Sequence, residues 1–279
     1  MATGRQAGRV SVVTGGGGGM GLASARLLAT QGAVVIADVR ERELEAAAGE
    51  LRKAGHEVTP VLCDVCDAQQ VARLAQTAAG IGQVQALVHT AGLSPTMADW
   101  RRIMNVNLVG SALIEQAFAP LMANGGGAVF IASMAGHTAM KGAAASAVLD
   151  NPLAPDFMAE IDKVAGPIDP GSSYGLSKQG VIQLCQRVVQ AWAKRGARIN
   201  SISPGLIDTS MGKQEFAHQE MMAIMLHKTP VGRWGTAEEI AEVAVFLCSP
   251  AASFVTGIDI LVDGGMTNVL MREARGLTS

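Results

Sequence analysis

Tyr174 and Lys178 stand four positions apart in Tyr174-Gly175-Leu176-Ser177-Lys178, and Tyr174 is the one tyrosine of the chain. On a helix, side chains at that spacing share a face, which sets the ammonium beside the phenol. A neighbouring cation favours phenolate, lowers the tyrosine pKa towards working pH and suits it to general acid–base catalysis. The bland alternative is a buried aromatic that has a lysine one helical turn on.

A second chemical feature lies near the N-terminal end. Val12-Val13-Thr14 runs into Gly15-Gly16-Gly17-Gly18-Gly19-Met20-Gly21, and an amphipathic segment follows. Glycines let a backbone turn tightly and approach a pyrophosphate, while a helix N-terminus offers N–H groups and partial positive charge. Glycine runs are also linkers, but a strand before and a helix after argue against one. No Lys-Ser/Thr pair follows, which excludes an ATPase phosphate loop. Asp38 comes 17 residues after Gly21, at the tip of the second apolar run. An acid there binds both ribose hydroxyls of NAD and repels the 2′-phosphate of NADP. Arg40 nearby either serves a 2′-phosphate or lies on a helix surface. Asp38 favours NAD.

The elements that must position these groups alternate almost from end to end. Apolar runs at Arg9–Thr14, Ala33–Asp38, Glu57–Leu62, Val84–Thr90, Gly127–Ser133, Ala197–Ser201 and Asp259–Val262 read as strands covered on both faces. Helical patterns fall at Met20–Gln31, Glu41–Ala54, Ala68–Ala79, Trp100–Met122, Ser173–Lys194 and Ala237–Leu247. Thr236-Ala237-Glu238-Glu239 carries a capping-box pattern. The alternation predicts an α/β fold, a doubly wound parallel sheet of Rossmann type. One domain over 1–279 accounts for it. Two stretches interrupt the rhythm. Residues 137–171 are Ala-rich and then Pro-punctuated, with Phe157, Met158, Ile161 and Val164 at helical spacing, which predicts a small helical insertion. Residues 209–228 form a Met-rich segment after Ser203-Pro204-Gly205, a candidate substrate lid. Both follow strands on the carboxyl side of the sheet, where open α/β sheets bind ligands.

Composition narrows the partners. Of 279 residues 49% are hydrophobic and 16% charged, which excludes disorder. A net charge of -2 without blocks of like charge argues against nucleic acid and anionic membranes. No apolar run is long enough to span a bilayer, and the N-terminal stretch lacks a signal-peptide core, so a cytoplasmic protein is expected. Cys63, Cys66, Cys185 and Cys248 make no disulfide framework. Cys63-Asp64-Val65-Cys66 has no second pair to complete a zinc site, and no metal is expected.

These pieces, taken in order, resemble the short-chain dehydrogenase/reductase superfamily in its compact form. The match runs from Val10 to Gly265. It rests on Thr14-Gly15-x-x-x-Gly19-x-Gly21, Asp64-Val65, Ala91-Gly92, Asn107 in Asn-Val-Asn-Leu, Ser133 in Ala-Ser-Met-Ala-Gly, Tyr174-x-x-x-Lys178, Pro204-Gly205 and Asp263-Gly264-Gly265. The glycine motif alone is weak; the ordered set is specific. The resemblance implies that Tyr174 exchanges a proton with the alcohol or carbonyl oxygen. Lys178 would lower the Tyr174 pKa and hold the nicotinamide ribose, Ser133 would bind the substrate oxygen, and Asn107 would hold a proton-relaying water. For the cofactor it implies Gly15, Gly19, Met20 and Gly21 at the phosphates, Asp64 and Val65 at the adenine, and Ala91 and Gly92 along the ribose. Pro204-Gly205, Ile207 and Thr209 would fix the carboxamide. The bland alternative for Asp64 is a cap on the helix after the third strand, alone or together with the adenine role.

The chain also departs from the family pattern. His89-Thr90-Ala91-Gly92 stands where the family usually has Asn-Asn-Ala-Gly, and a structural substitution by His89 is expected. For His137 the alternatives are the substrate pocket and a surface or insertion-packing role. Ser133 and Tyr174 are 41 positions apart against about a dozen usually, which resembles the bacterial 3α-hydroxysteroid dehydrogenase/carbonyl reductase branch. The insertion either shapes the substrate entrance or covers a helix through which family members assemble. Met211, Phe216, Met221, Met222 and Met225 offer a flexible apolar lining or pack on the protein itself. The expected reaction is hydride transfer between NAD and a secondary alcohol or ketone, on a bulky hydrophobic or steroid-like small molecule. A non-catalytic dinucleotide sensor and a reductase of acyl-thioester ketones are the alternatives. A homo-oligomer, dimer or tetramer, is implied by the resemblance of the Asp263-Gly264-Gly265 segment to the family interface.

Overall fold

Val, Ile and Ala dominate the strands because both faces of the sheet are covered. A computed structural model describes residues 8–139, 142–218 and 220–277, with the side chains of 216–218 and 220–222 outside the description. The strands are β1 (Arg9–Thr14), β2 (Ala33–Asp38), β3 (Val58–Leu62), β4 (Gln83–His89), β5 (Met122–Ile131), β6 (Arg198–Pro204), β7 (Ile207–Asp208), β8 (Gly235–Thr236) and β9 (Asp259–Val262). Seven of them form one parallel sheet in the order β3-β2-β1-β4-β5-β6-β9, and β7 pairs with β8. The order reverses between β1 and β4, which creates a crevice at the carboxyl ends of these strands.

The helices are α1 (Gly19–Ala29), α2 (Glu41–Lys53), α3 (Ala68–Ile81), α4 (Trp100–Met104), α5 (Gly110–Phe118), α6 (Met134–Thr138), α7 (Ala143–Leu149), α8 (Phe157–Ala165), α9 (Pro170–Ala193), α10 (Ser210–His218), α11 (Glu220–Lys228), α12 (Ala237–Cys248) and α13 (Met266–Ala274). Strand side chains alternate between two cores. Val12, Val35 and Leu87 join Leu74 of α3, Phe118 of α5 and Val181 of α9 on one face. Val13, Ile36 and Val88 meet Leu28 of α1, Leu44 of α2 and Leu247 of α12 on the other. The result is a single doubly wound domain. Among the described residues no helix is long and apolar enough to cross a membrane.

Local signals explain several boundaries. Thr236 and Glu239 form the capping box that starts α12. At the far end of α12 the buried Arg198 guanidinium donates to the carbonyls of Leu247 and Ser249, satisfying groups the helix leaves unpaired. Asp67, rather than Asp64, caps α3 by accepting from the N–H groups of Gln69 and Gln70. The helical pattern over Trp100–Met122 is interrupted: a π turn at Asn105–Val109 separates α4 from α5. The strand expected from Gly127 begins at Met122, because Met122 pairs with Val84 before a register shift. Between Ser133 and Tyr174 the chain forms α6, α7 and α8, where Phe157 and Ile161 are buried and Met158 and Val164 pack beside them.

Candidate active site

The glycine turn joins β1 to α1. Gly15 and Gly19 adopt positive φ, and a Cβ on Gly21 would meet the Gly15 carbonyl oxygen at 2.1 Å. Helix α1 has no side-chain cap and no acid in its first turn, while the space beside Gly18 is open. Such an N-terminus leaves backbone N–H groups and positive dipole for an anion. Asp38, 6% exposed, arches over this turn and accepts from the Gly17 N–H at 3.1 Å. It also accepts from the Arg40 N–H at 3.0 Å and the Arg40 Nε at 3.2 Å. Arg40 is therefore held on Asp38. These features fit a nicotinamide dinucleotide: a phosphate cradle that a side chain would fill, with a carboxylate one strand away.

The catalytic candidates converge on α9. Asp169 caps it and Pro170 opens it, as a first-turn proline should. Tyr174 is half-buried and hydrogen-bonded to Ser133, which stands at the end of β5 and caps α6 by accepting from the Ala135 N–H. Lys178, 5% exposed, has its Nζ 5.8 Å from the Tyr174 ring centre. Its ammonium donates to the Ile131 carbonyl at 2.8 Å. The two side chains share a face, but the expected lowering of the phenol pKa does not follow, and Lys178 is not among the groups that shift it. Burial pushes the Tyr174 phenol above its ordinary value, the Ser133 hydrogen bond works the other way, and the Glu215 carboxylate adds to the rise. Burial also pulls Lys178 down to about 8.

That burial has a thermodynamic consequence. The ammonium is disfavoured in the folded protein relative to the unfolded chain at every pH below about 8. Lys178→Met should therefore unfold at higher urea than wild type near neutral pH. The advantage should shrink as pH rises from about 8 towards the ordinary lysine pKa, where both states are neutral. Urea titrations across that window check the sign; a pH-independent difference would contradict it.

Asn107 sits in the π turn with its side chain fully engaged. Oδ1 accepts from the Leu93 N–H at 2.7 Å, and Nδ2 donates to the Leu93 carbonyl and to Ser177 Oγ. A Cβ on Gly92 would lie 3.2 Å from Asn107 Oδ1 and 3.4 Å from Lys178 Nζ, so a larger residue there would ask the Asn107 amide to give by a few tenths of an ångström. The Asn107 carbonyl accepts from the Ser111 hydroxyl at 2.6 Å. His89 bridges this turn to β1: Nε2 lies 3.0 Å from Ser111 Oγ and Nδ1 2.6 Å from Thr14 Oγ1. Because Ser111 gives its hydrogen to Asn107, Nε2 of His89 carries the ring proton and Nδ1 accepts from Thr14. Burial, with Lys178 nearby, pushes His89 down to about 3, which keeps the ring neutral.

One cavity of about 300 Å³ opens between the carboxyl ends of the sheet and α10. Met20, Gly92, Ser133, Tyr174, Lys178, Pro204, Gly205, Ile207 and Thr209 line it. The other expected cofactor positions are outside its lining. Gly15, Gly19, Gly21 and Asp38 form the turn, and Ala91 abuts Gly15. Asp64 accepts from the Cys66 N–H and pairs with Arg102 at 3.1 Å, and Val65 is buried against Gly110. His137 does not line the cavity; its Nε2 is bonded to Asp259 Oδ2 at 2.7 Å, across the sheet edge. Burial pushes the Cys63 and Cys66 thiols up to about 11 and about 12, so both are poor nucleophiles at neutral pH. Met211 and Met225 line the cavity, whereas Phe216, Met221 and Met222 lie outside the described side chains. Glu215 and Trp234 also line it and were not expected there. Glu215 follows Met211 by one helical turn, which is the signal that places both on one face of α10.

A family model described as short chain dehydrogenase matches residues 9–147, and one described as enoyl-(acyl carrier protein) reductase matches 162–267. Galactitol 2-dehydrogenase (L-tagatose-forming) of Cereibacter sphaeroides is 35% identical over 93% of this chain and 95% of its own. The chain belongs to the short-chain dehydrogenase/reductase superfamily. Cis-4-hydroxycyclohexanecarboxylate dehydrogenase of Sinomonas cyclohexanicum is 36% identical over 94% of this chain and 97% of its own. A solved 7α-hydroxysteroid dehydrogenase, complexed with NADH and 7-oxo glycochenodeoxycholic acid, superposes with a TM-score of 0.74 at 28% identity, covering 94% of this chain and 95% of that one. This short-chain dehydrogenase/reductase is accordingly an oxidoreductase of alcohols and ketones.

Proposed function

We propose that this protein transfers a hydride between NAD and a secondary alcohol or ketone carried on a bulky, hydrophobic ring, steroids included. The observation that carries the reading is the meeting of Ser133, Tyr174 and Lys178 on one wall of a cavity whose remaining walls are mostly apolar. When bound, the dinucleotide supplies or accepts the hydride. Ser133 holds the substrate oxygen, and Tyr174 gives or takes the proton at that oxygen. Lys178 stabilises the phenolate and holds the ribose. The Asn107 carbonyl, with a second lone pair beyond its Ser111 bond, holds the water that carries the proton outward. Gly15, Gly19, Met20 and Gly21 bind the phosphates, Asp38 the adenosine ribose, and Asp64 and Val65 the adenine. Ala91 and Gly92 line the cofactor, and Pro204, Gly205, Ile207 and Thr209 hold its carboxamide end.

Support for a ring substrate comes from the lining itself: Met20, Leu93, Met134, Leu206, Met211 and Met225 form an adaptable apolar surface. The relatives named for a hydroxycyclohexane acid and a hydroxysteroid point the same way. A cytoplasmic homo-oligomer is the setting we propose. A panel of cyclic ketones, steroid ketones, sugars and acyl thioesters, each assayed with NADH, tests the substrate class. Turnover of the ring ketones is expected; activity confined to sugars or acyl thioesters would overturn it.

A further inference from the structure

One buried titratable side chain takes no part in the reaction described so far. His89, at the end of β4, is 2% exposed, and its ring centre lies 5.2 Å from that of Phe130 in β5. It belongs to a file of buried polar side chains, Thr14, His89, Ser111, Asn107 and Ser177, in which every link runs the same way. Thr14 Oγ1 donates to His89 Nδ1 at 2.6 Å, His89 Nε2 donates to Ser111 Oγ at 3.0 Å, and Ser111 donates to the Asn107 carbonyl at 2.6 Å. Asn107 Nδ2 then donates to Ser177 Oγ at 3.1 Å, and Ser177 donates to the Tyr174 carbonyl at 2.8 Å. A hydroxyl has one hydrogen to give, so each serine accepts from one neighbour and donates to the next. Bonds aligned in this way polarise one another. The file starts at Thr14, beside the glycine turn, and ends on the turn of α9 that carries Tyr174. His89 is the member that joins β1 to α5. Burial keeps its ring neutral, which leaves one nitrogen to accept and one to donate, as the file requires.

We propose that His89 is a positioning residue for proton transfer: through Ser111 it holds the Asn107 turn, and through Asn107 and Ser177 the Tyr174 turn, in register with the glycine turn. The inference rests on reading Tyr174 as the group that moves the proton. Displacing a reacting group by about 1 Å can cost about 10²-fold in rate, so a side chain that fixes two turns at once acts on kcat. The glycine turn keeps its own backbone bonds, so cofactor affinity is spared. Packing against Phe130 alone would call for a ring of this size but not for its two nitrogens.

Two replacements separate the nitrogens. In His89→Asn the shorter amide takes the place of Nδ1 and stops short of Ser111, whereas in His89→Gln the amide nitrogen reaches the place of Nε2. His89→Asn and Ser111→Ala should each lower kcat for cyclic ketones by at least about fivefold. Dissociation constants for NADH, read by fluorescence, should stay within about twofold of wild type. The double variant should be no slower than the slower single, because both break one file. His89→Gln should recover most of the lost rate. The tyrosinate signal of Tyr174 gives a second readout that needs no turnover. A less firmly held Tyr174 loses part of its Ser133 hydrogen bond, so in the NAD complex its titration midpoint should rise by at least about 0.5 in His89→Asn and in Ser111→Ala. If melting curves show that His89→Asn does not fold, Ser111→Ala, which removes one oxygen, decides both readouts. Unchanged kcat and midpoint in the folded variants, additive losses in the double variant, or a loss that His89→Gln does not recover would overturn the assignment. If wild type reduces no ketone, the dehydrogenase reading fails; a midpoint that still rises in the variants leaves the His89 link standing, and one that stays put removes it too.

Discussion

Tyr174→Phe should lower kcat by about 10²- to 10⁴-fold, the range a positioned general acid–base group contributes. The substitution removes one oxygen and keeps the ring, so the packing of α9 against α6 is preserved. The lost Ser133 hydrogen bond costs about 1 kcal/mol, and the fold should survive with a small change in melting temperature. No neighbour can take over the proton. Ser133 lacks a usable pKa near neutrality, and Lys178 gives its ammonium to the Ile131 carbonyl. NAD binding, followed by NADH fluorescence, should stay close to wild type, because the backbone groups of the Gly15 to Gly21 turn that would hold the phosphates are untouched by the substitution. A defect in kcat with cofactor affinity retained is the expected pattern. Unchanged turnover would refute the role given to Tyr174.

Asp38 carries the second large effect. Its carboxylate stands over the glycine turn and holds Arg40 by the backbone N–H and the guanidinium. A 2′-phosphate brought there would face a buried carboxylate, and like-charge juxtaposition costs several kcal/mol. Wild type should therefore prefer NAD. Asp38→Asn keeps an acceptor for the Gly17 N–H, removes the repulsion and releases Arg40 to meet a phosphate. The ratio of kcat/KM for NADP to that for NAD should rise by about 10²- to 10³-fold. Adding Arg40→Ala to Asp38→Asn should reverse much of the gain. A wild type that prefers NADP, or a ratio that ignores Asp38→Asn, would contradict the cofactor assignment.

How much of this was legible before the structure varies with how local the signal is. The central strands announced themselves because a strand buried on both faces must be a continuous apolar run, and β1, β2 and β9 begin and end where the pattern does. The first part of β5 was hidden by Asn124-Gly125-Gly126-Gly127, residues with poor strand propensity; of this part Met122 and Gly127 pair with β4, on either side of a register shift. Helix α13, after two positive-φ glycines, had no strong apolar run to mark it and was not anticipated. The π turn was invisible for another reason: Asn105–Val109 continues the apolar pattern of the helices on either side, and the extra residue is accommodated by long-range bonds from Asn107 to Leu93 and Ser177.

The site shows the same division. Tyr174, Lys178 and the glycine turn could be read from spacing, since each acts within one or two helical turns. His137 could not, because its partner Asp259 is 122 positions away and only the sheet brings them together. His89 was legible as a substitution at a known place, but its link through Ser111 to the Asn107 carbonyl needed β4 and the π turn side by side. Glu215 depended on a loop 119 positions distant. The sign of the Tyr174 shift was also beyond the sequence. Spacing gives the lysine, whereas burial and the Glu215 carboxylate come only with the fold.

That sign makes the most direct test possible, because every tyrosinate signal from this protein comes from Tyr174. Ultraviolet difference titration should be run on the free protein and on its NAD complex. In the free protein Tyr174 should titrate above the ordinary tyrosine value. With NAD bound it should fall below that value, towards the pH at which the enzyme turns over. A Tyr174 that stays at or above the ordinary value in the complex would contradict its assignment as the proton-transferring group.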